Sequence, residues 1–190
     1  MAKFANNKIW IPALWIAFFT FTAGMILSLG LESVIRTVQS IAFSLSALLI
    51  VILLGIVSDA IGTAAAAADL VPFNAMASKK VQGAKQAVRI VHNADLVANL
   101  TADVVGDIAG TLSGAIGASI VYSLASKFSI GNTVILGGLM TSLIASLTVG
   151  GKAIGKTMAI RHSHSIIFKV AGVMEWWERL TGTELFSGRR

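Results

Sequence analysis

Four long apolar runs limit what this chain can fold into. They cover residues 9–31, 38–68, 96–124 and 133–151. A helix needs roughly 20 apolar residues to cross a bilayer, and each run is about that long or longer. Because the bilayer core offers no water to the backbone, such runs cross it as helices. The pattern predicts an all-α integral membrane protein with about four transmembrane helices.

The number of crossings has two alternatives. The run at 9–31 exceeds the usual apolar part of a signal peptide and has no clear small-residue cleavage site, so we expect it to be retained. If it were removed, or if a later run re-entered the bilayer, three spans would remain. The runs at 38–68 and 96–124 are long enough to bend or break.

The charges predict an orientation. The chain is 55% hydrophobic and 13% charged, and its net charge is +6. With four crossings, Lys3, the basic segment 72–93 and the basic C-terminal end lie on one side, and Glu32, Arg36 and Lys127 lie on the other. The positive-inside rule then predicts a cell-membrane protein with both termini in the cytoplasm.

Two segments have the pattern of amphipathic juxtamembrane helices. In 72–93, apolar residues recur every three or four positions while basic residues take other faces, which predicts one or two helices, with a break at Gly83. A nucleic-acid-binding helix is the alternative, but with spans on both sides we expect no nucleic-acid partner. In 165–180, the predicted apolar face comprises Ile166, Val170, Val173, Trp177 and Leu180. The predicted membrane-surface residues are Lys79, Lys80, Lys85, Arg89, Trp176 and Trp177.

The third run contains acids beside a stripe of glycines. Asp103 and Asp107 are four residues apart, and Gly106, Gly110 and Gly114 repeat at the same interval. A carboxylate at the centre of a bilayer costs about 3 kcal/mol, so we expect the acids to face a helix bundle or a watery cavity. The glycine stripe predicts close helix packing and a homodimer seam.

Oxygen donors in two of the runs suggest an ion site. The second run carries Asp59 and Thr63, which are one helical turn apart. Together with Asp103 and Asp107 they would supply three carboxylates and a hydroxyl, if the bundle brings them together. Such oxygen groups are the ligands that hard cations prefer. We therefore predict these four residues as metal ligands.

Several segments resemble the transmembrane domain of the CorC/CorB and CNNM magnesium transporters. Residues 151–162, GKAIGKTMAIRH, are similar to that family's pattern G-E-I-L-P-K-T-L-A-x-R-H. Residues 59–64, DAIGTA, occupy the place of its S-x-S-E-T-A, and residues 76–85 resemble its cytoplasmic helix L-A-x-x-G-x-x-G-A-K. Asp103 and Asp107 fall near its paired asparagines. The resemblance covers 37–180, which leaves 1–36 as a basic flank with an additional span and 181–190 as a cytoplasmic tail.

The resemblance implies transport of a divalent cation, Mg²⁺ or Co²⁺, but the ion site is altered. Gly62 and Lys152 stand where the family keeps glutamates, and Gly155 stands where it keeps proline. Lys152 would act as an internal counter-ion to the acids. The family's regulatory nucleotide-binding domains have no counterpart here, so we expect no nucleotide site and a partner that carries such domains.

Three functions therefore stay open. One is a divalent-cation transporter, and another is a structural or regulatory membrane subunit that does not transport, in which Lys152 replaces the cation. The third is a carrier of protons or Na⁺. We expect no enzyme, because the sequence has no cysteine, nucleophile elbow, HExxH motif or Walker loop.

Overall fold

A computed structural model describes residues 7–38, 40–129 and 131–183, and these are helical with short connections. The helices are α1 (Asn7–Val38), α2 (Ile41–Ala67), α3 (Leu70–Ser78), α4 (Ala84–His92), α5 (Ala94–Ala98), a π-helical segment (Asn99–Val105), α6 (Gly106–Phe128), α7 (Thr133–Arg161) and α8 (Ser163–Thr181). The predicted N-terminal flank before residue 7 and the predicted tail from residue 184 onwards lie outside the described residues.

Four helices are long and apolar enough to cross a membrane, in agreement with the sequence. They are Ala13–Ile35, Ile41–Ala67, Ala94–Phe128 and Thr133–Arg161. The third is one continuous helix made of α5, the π segment and α6, because the residues at both junctions keep right-handed helical backbone angles. The fourth continues unbroken past Gly150 and Gly151, where paired glycines could have interrupted it.

The basic segment 72–93 forms two helices, as the sequence predicts. Asp69 caps α3 by accepting a hydrogen bond from the Val71 amide. Pro72 lies in the first turn of α3, where a missing N–H costs no helical bond. Gly83 separates the helices with φ of 77°, a left-handed conformation that glycine adopts without steric cost.

Contacts divide the chain into two compact units. Unit 1 comprises Met1–Val51 and Gly110–Ile144, and unit 2 comprises Ile52–Ala109 and Ala145–Arg190. In unit 1 the buried side chains include Ile120 and Ser113, while the apolar span of α1 is not buried within the protein. The predicted domain boundaries at residues 36 and 180 divide the chain into continuous segments, whereas each compact unit combines two separate segments. The predicted boundaries stay predictions.

The core of unit 2 is built around Phe73. Its ring is 1% exposed and stacks on the imidazole of His164 with ring centres 5.4 Å apart. Apolar residues from α2, α4, α5, α7 and α8 complete this cluster: Ala64, Ala65, Ala87, Ile90, Val97, Ala159, Ile167, Ala171 and Met174. The run of alanines in α2 is used here for close helix packing.

The amphipathic helices α4 and α8 each bury one face within the protein. The buried residues of α4 are Ala84, Ala87 and Ile90, while Val88 and Val91 are only partly buried. The buried residues of α8 are Ser163, Ile167, Ala171 and Met174. Of the predicted apolar face of α8, Ile166 and Val170 are partly buried against the core, while Val173, Trp177 and Leu180 are exposed. Contact of this exposed face with the membrane surface stays a prediction, and the face that packs within the protein is a neighbouring one.

Candidate functional site

Asp59 is a buried acid in α2, one of the helices long and apolar enough to cross a membrane. It is 4% exposed, and its Oδ1 lies 3.5 Å from Nζ of Lys156 on α7. Its other oxygen, Oδ2, is buried and has no hydrogen-bond partner in the described part of the chain. A buried polar atom without a partner costs about 1–3 kcal/mol, and more when it is charged. Asp59 therefore has one oxygen in an ion pair and one oxygen without a hydrogen-bond partner in the described part of the chain.

Lys156 holds Asp59 loosely. The lysine side chain is 53% exposed, whereas the aspartate side chain is only 5% exposed. An ion pair with such exposure contributes about 0–1 kcal/mol, because solvent screens the charge and the long side chain loses entropy. The ammonium group can leave the aspartate by rotating its flexible stem. The pair can consequently exchange its cation without any movement of α2.

The π segment packs closely against α2 beside Asp59. The Ser58 hydroxyl donates a 2.7 Å hydrogen bond to the carbonyl oxygen of Thr101 in that segment. One turn later, Gly62 approaches so closely that an added Cβ would lie 3.1 Å from Cα of Ala98 and 2.7 Å from Oγ1 of Thr101. Single π-helical turns within α-helices occur often at functional sites, where they displace backbone groups from the α pattern.

The glycine at position 62 has a packing reason. The predicted resemblance would place a glutamate at this position, but here a larger side chain would meet Ala98 and Thr101. The Thr101 hydroxyl is itself held by a 2.8 Å hydrogen bond to the carbonyl oxygen of Val97. The side chain at position 62 cannot therefore supply an ion ligand without moving the helix that faces it.

The predicted ligands are not gathered into one group. The Thr63 hydroxyl donates a 2.9 Å hydrogen bond to the backbone carbonyl of Asp59. Asp103 and Asp107 are exposed, and Asp103 accepts a 3.3 Å hydrogen bond from the Asn99 amide. Within residues 7–38, 40–129 and 131–183, no group of three or more His, Asp or Glu residues is placed to hold a metal ion. The Mg²⁺ site of four ligands stays a prediction.

Lys152 occupies a place near the predicted glycine stripe. It is partly buried, and a Cβ at Gly106 would lie 3.3 Å from its Nζ. Where the chain is described, no ion pair within 4.0 Å joins Lys152 to an acid. Its predicted role as a counter-ion stays untested, while Lys156 is the lysine that contacts Asp59. Gly110 and Gly114 have open space where a Cβ would be.

The predicted membrane-surface residues have different surroundings. Lys79, Lys80 and Lys85 are exposed, as are Trp176 and Trp177. Arg89 is instead partly buried, and its Nη1 lies 3.1 Å from Oε1 of Glu178 on α8. The other oxygen of Glu178 accepts a 2.9 Å hydrogen bond from Gln86. Arg89 and Gln86 therefore connect α4 to α8.

Sequence reasoning missed Lys156 and the π segment. Lys156 lies four residues after Lys152, which places both on one face of α7, and this spacing was the available signal. No residue pattern in 99–105 marked the π turn. Comparison with known proteins adds nothing to this site: no protein-family model matches the chain, and no curated protein or solved structure matches it significantly.

Proposed function

We propose that this chain is an integral membrane protein that carries a cation, with Asp59 as the binding carboxylate. The observation that carries the proposal is the buried Oδ2 of Asp59, which has no partner, beside an Oδ1 paired with a half-exposed lysine. Ionisable groups inside membrane-spanning helices are costly and usually mark an ion path. Lys156 neutralises Asp59 when no cation is bound, and a cation displaces the ammonium group.

The cation best suited to this proposal is a divalent one, Mg²⁺ being the first to test. Mg²⁺ usually keeps several waters and binds through one or two carboxylates, so a single buried aspartate is a sufficient anchor. A divalent ion also competes with an ammonium group better than a monovalent ion at equal distance, since Coulomb energy scales with charge. The resemblance to magnesium transporters supports the same ion but is a hypothesis.

The alternative function is a membrane subunit that does not transport. The Lys156–Asp59 pair favours it, because a built-in ammonium group can substitute permanently for a bound cation. In that case the pair serves stability, and removing Lys156 leaves a buried carboxylate without compensation, which typically costs about 3–5 kcal/mol for a fully buried pair. The exposure of Lys156 makes the expected cost smaller.

The orientation and the partners remain proposals from the sequence. Cytoplasmic termini follow from the distribution of lysine and arginine along the chain. The homodimer rests on the glycine stripe of α6, in which Gly110 and Gly114 are open to a neighbouring helix. A regulatory partner and the surrounding lipid complete the proposed setting.

Uptake of Mg²⁺ into proteoliposomes, read by an enclosed fluorescent indicator, tests the two functions. For a carrier, the wild type transports, Asp59→Asn loses transport, and Lys156→Met binds Mg²⁺ more tightly because the competing ammonium group is gone. Lys152→Met is the matched control, since it removes a lysine from the same helix without touching Asp59. The same assays with Co²⁺, Na⁺ and a pH gradient identify the ion.

The opposite results reject transport. If the wild type neither binds nor transports any of these ions, and Lys156→Met only lowers the unfolding temperature, the subunit function holds. If Asp59→Asn transports like the wild type, Asp59 is not the binding carboxylate. Asp103→Asn and Asp107→Asn, measured in parallel, show whether those exposed acids contribute.

A further inference from the structure

Helix α8 has an exposed apolar face that is separate from the face it buries in unit 2. The members of this face recur at helical spacing and are 51–66% exposed: Val173, Trp176, Trp177 and Leu180. The residues that α8 buries, among them Ile167 and Ala171, lie on another side of the helix. Packing within the described residues therefore does not use these four side chains, which we call the aromatic stripe.

A turn rich in lysine packs beside the aromatic stripe. A Cβ at Gly83, between α3 and α4, would lie 3.5 Å from the backbone nitrogen of Gly172 on α8. Gly172 is one helical turn before Trp176, so the connection between α3 and α4 lies next to the stripe. Four exposed lysines belong to this region, and we call them the basic surface: Lys79 and Lys80 in the turn, Lys85 at the start of α4, and Lys169 on α8.

The acids of these helices are already paired, so the basic surface keeps its charge. Helices α3 and α4 contain no acidic residue. On α8, Glu178 pairs with Arg89 at 3.1 Å and Glu175 pairs with Arg179 at 2.6 Å. Among the described residues, no lysine of the basic surface forms an ion pair with an acid. Four positive charges therefore remain for a negatively charged partner.

Lys80 occupies a backbone position that favours glycine. The Lys80 amide donates a 3.0 Å hydrogen bond to the carbonyl oxygen of Ala77, and the Val81 amide donates a 3.1 Å bond to that of Met76. This is the Schellman pattern that ends many helices, and glycine is its usual left-handed residue. Lys80 adopts φ of 55° there in spite of its Cβ. The turn therefore does not require the lysine side chain, which is available to a partner.

The basic surface and the aromatic stripe lie at the ends of two long apolar helices. Helix α3 begins three residues after α2 ends at Ala67, and α8 begins two residues after α7 ends at Arg161. Ala159 of α7 belongs to the same core cluster as the buried residues of α4 and α8. In the proposed membrane setting, this end of α7 is at the level of the lipid headgroups, where tryptophan is enriched and lysine meets the surface charge.

We propose that the aromatic stripe and the basic surface together dock on a membrane leaflet that contains anionic phospholipid, with a preference for anionic over zwitterionic headgroups. The phosphate of phosphatidylglycerol has no balancing positive charge, whereas that of phosphatidylcholine is balanced by the choline group. A nucleic acid would also complement the lysines, but it does not explain an apolar stripe at the ends of helices of membrane-crossing length. This inference rests on the proposed membrane setting and not on cation transport.

Quenching of tryptophan fluorescence by brominated lipids tests the preference in the full chain. Trp10→Phe and Trp15→Phe leave Trp176 and Trp177 as the emitting residues. The protein is reconstituted in two vesicle preparations of the same phosphatidylcholine and phosphatidylglycerol content, with bromine on phosphatidylglycerol in one and on an equal amount of phosphatidylcholine in the other. We expect an association constant about fivefold higher for phosphatidylglycerol, since one lysine near an anionic surface provides that ratio, about 1 kcal/mol.

Variants assign the preference to the basic surface. Lys80→Gly combined with glutamine at the other three lysines should remove the preference, and glutamine is a good helix former. Lys80→Gly alone should lower the preference and unfold at or above the wild-type temperature, because glycine adopts the left-handed conformation without steric cost. Lys127→Gln is the control, since it removes the same charge from α6 and should retain the preference. Salt at about 1 M, where the screening length is about 3 Å, should weaken the preference.

The opposite results overturn the proposal. Equal quenching by the two brominated lipids in the wild type does so, and so does a preference that survives replacement of all four lysines. Quenching by aqueous acrylamide that added RNA suppresses, with none by either lipid, assigns the surface to a nucleic acid and rejects the lipid partner. Extraction with alkaline carbonate reports insertion separately: a protein that stays in the vesicles without headgroup preference overturns this inference alone, whereas an extracted protein overturns the proposed membrane setting.

Discussion

Replacing Gly62 by alanine should separate α2 from the helix that faces it. An alanine Cβ would lie 3.0 Å from Cβ of Ala102 and 3.1 Å from Cα of Ala98, both closer than ordinary van der Waals contact. Thr101 Oγ1, at 2.7 Å, is held by its own hydrogen bond and does not move without losing it. Since one of these atoms belongs to the backbone, the strain cannot be relieved by a rotamer change.

The magnitude follows from two opposing terms. Overpacking a tight contact costs about 1–3 kcal/mol. Alanine in place of glycine within a helix gains about 1 kcal/mol from propensity. Gly138→Ala on α7 is the matched control, because its Cβ would meet nothing within 4 Å and the propensity gain is the same. The difference between the two variants therefore isolates the packing cost at Gly62, about 1–3 kcal/mol.

Thermal unfolding in detergent measures this difference. For a chain of this size, 2 kcal/mol corresponds to about 4–8 °C in the unfolding midpoint. We expect Gly138→Ala to unfold at or above the wild-type temperature and Gly62→Ala to unfold below Gly138→Ala by several degrees. Equal midpoints for the two variants would refute the close approach of α2 and the π segment, and a glutamate at position 62 would then be sterically possible.

Three further predictions concern helices α4 and α8 and Lys156. Glu178→Ala removes the acceptor that joins α4 to α8 and should lower stability by about 1.5–3 kcal/mol, whereas Glu175→Ala, which loses only a pair within one helix, should cost about 0.3–0.5 kcal/mol. Chemical denaturation measures the free energy of unfolding of both variants, and equal decreases contradict the prediction. Acylation of Lys156 by a water-soluble, amine-reactive reagent should accelerate when Mg²⁺ displaces the lysine from Asp59, and Lys152 serves as the internal control. A rate that does not depend on Mg²⁺ argues against exchange of the ammonium group for Mg²⁺. The two exposed tryptophans of α8 should be quenched by brominated lipids in a background without the other tryptophans, and quenching only by aqueous reagents would place them away from the bilayer.

The four long apolar helices were predictable because their cause is local. A run of apolar residues about as long as the bilayer is thick favours a helix long enough to cross it. The end of α7 was less predictable, since the apolar run ends at residue 151 and the helix continues to Arg161. Lys152 and Lys156 are good helix formers whose long stems cover apolar surface, so charge alone does not end a helix.

The lysine that pairs with Asp59 was not predictable, because the pairing depends on how far α7 is shifted along its axis relative to α2. Lys152 and Lys156 share one face of α7, so helical periodicity alone does not distinguish between them. The choice requires the height of α7 relative to α2, which the close packing of Gly155 and Gly151 on Ile56 helps to fix. Gly62 is a second example. The sequence suggests only that a ligand glutamate is absent at this position, whereas the structure shows a close packing contact there.

The positions of Asp59 and Lys156 along their helices determine which side chain can reach a helix end. Asp59 is eight residues before the end of α2 at Ala67, about 12 Å along its axis, and a short aspartate side chain cannot cross that distance. Lys156 is five residues before the end of α7 at Arg161, about 8 Å, and its stem can direct the ammonium group towards that end. The half exposure of Lys156 beside a buried Asp59 agrees with this asymmetry. In the proposed carrier, a cation that replaces the lysine would meet a fixed carboxylate, and selectivity would depend on how well that cation satisfies Oδ2, which has no hydrogen-bond partner among the described residues.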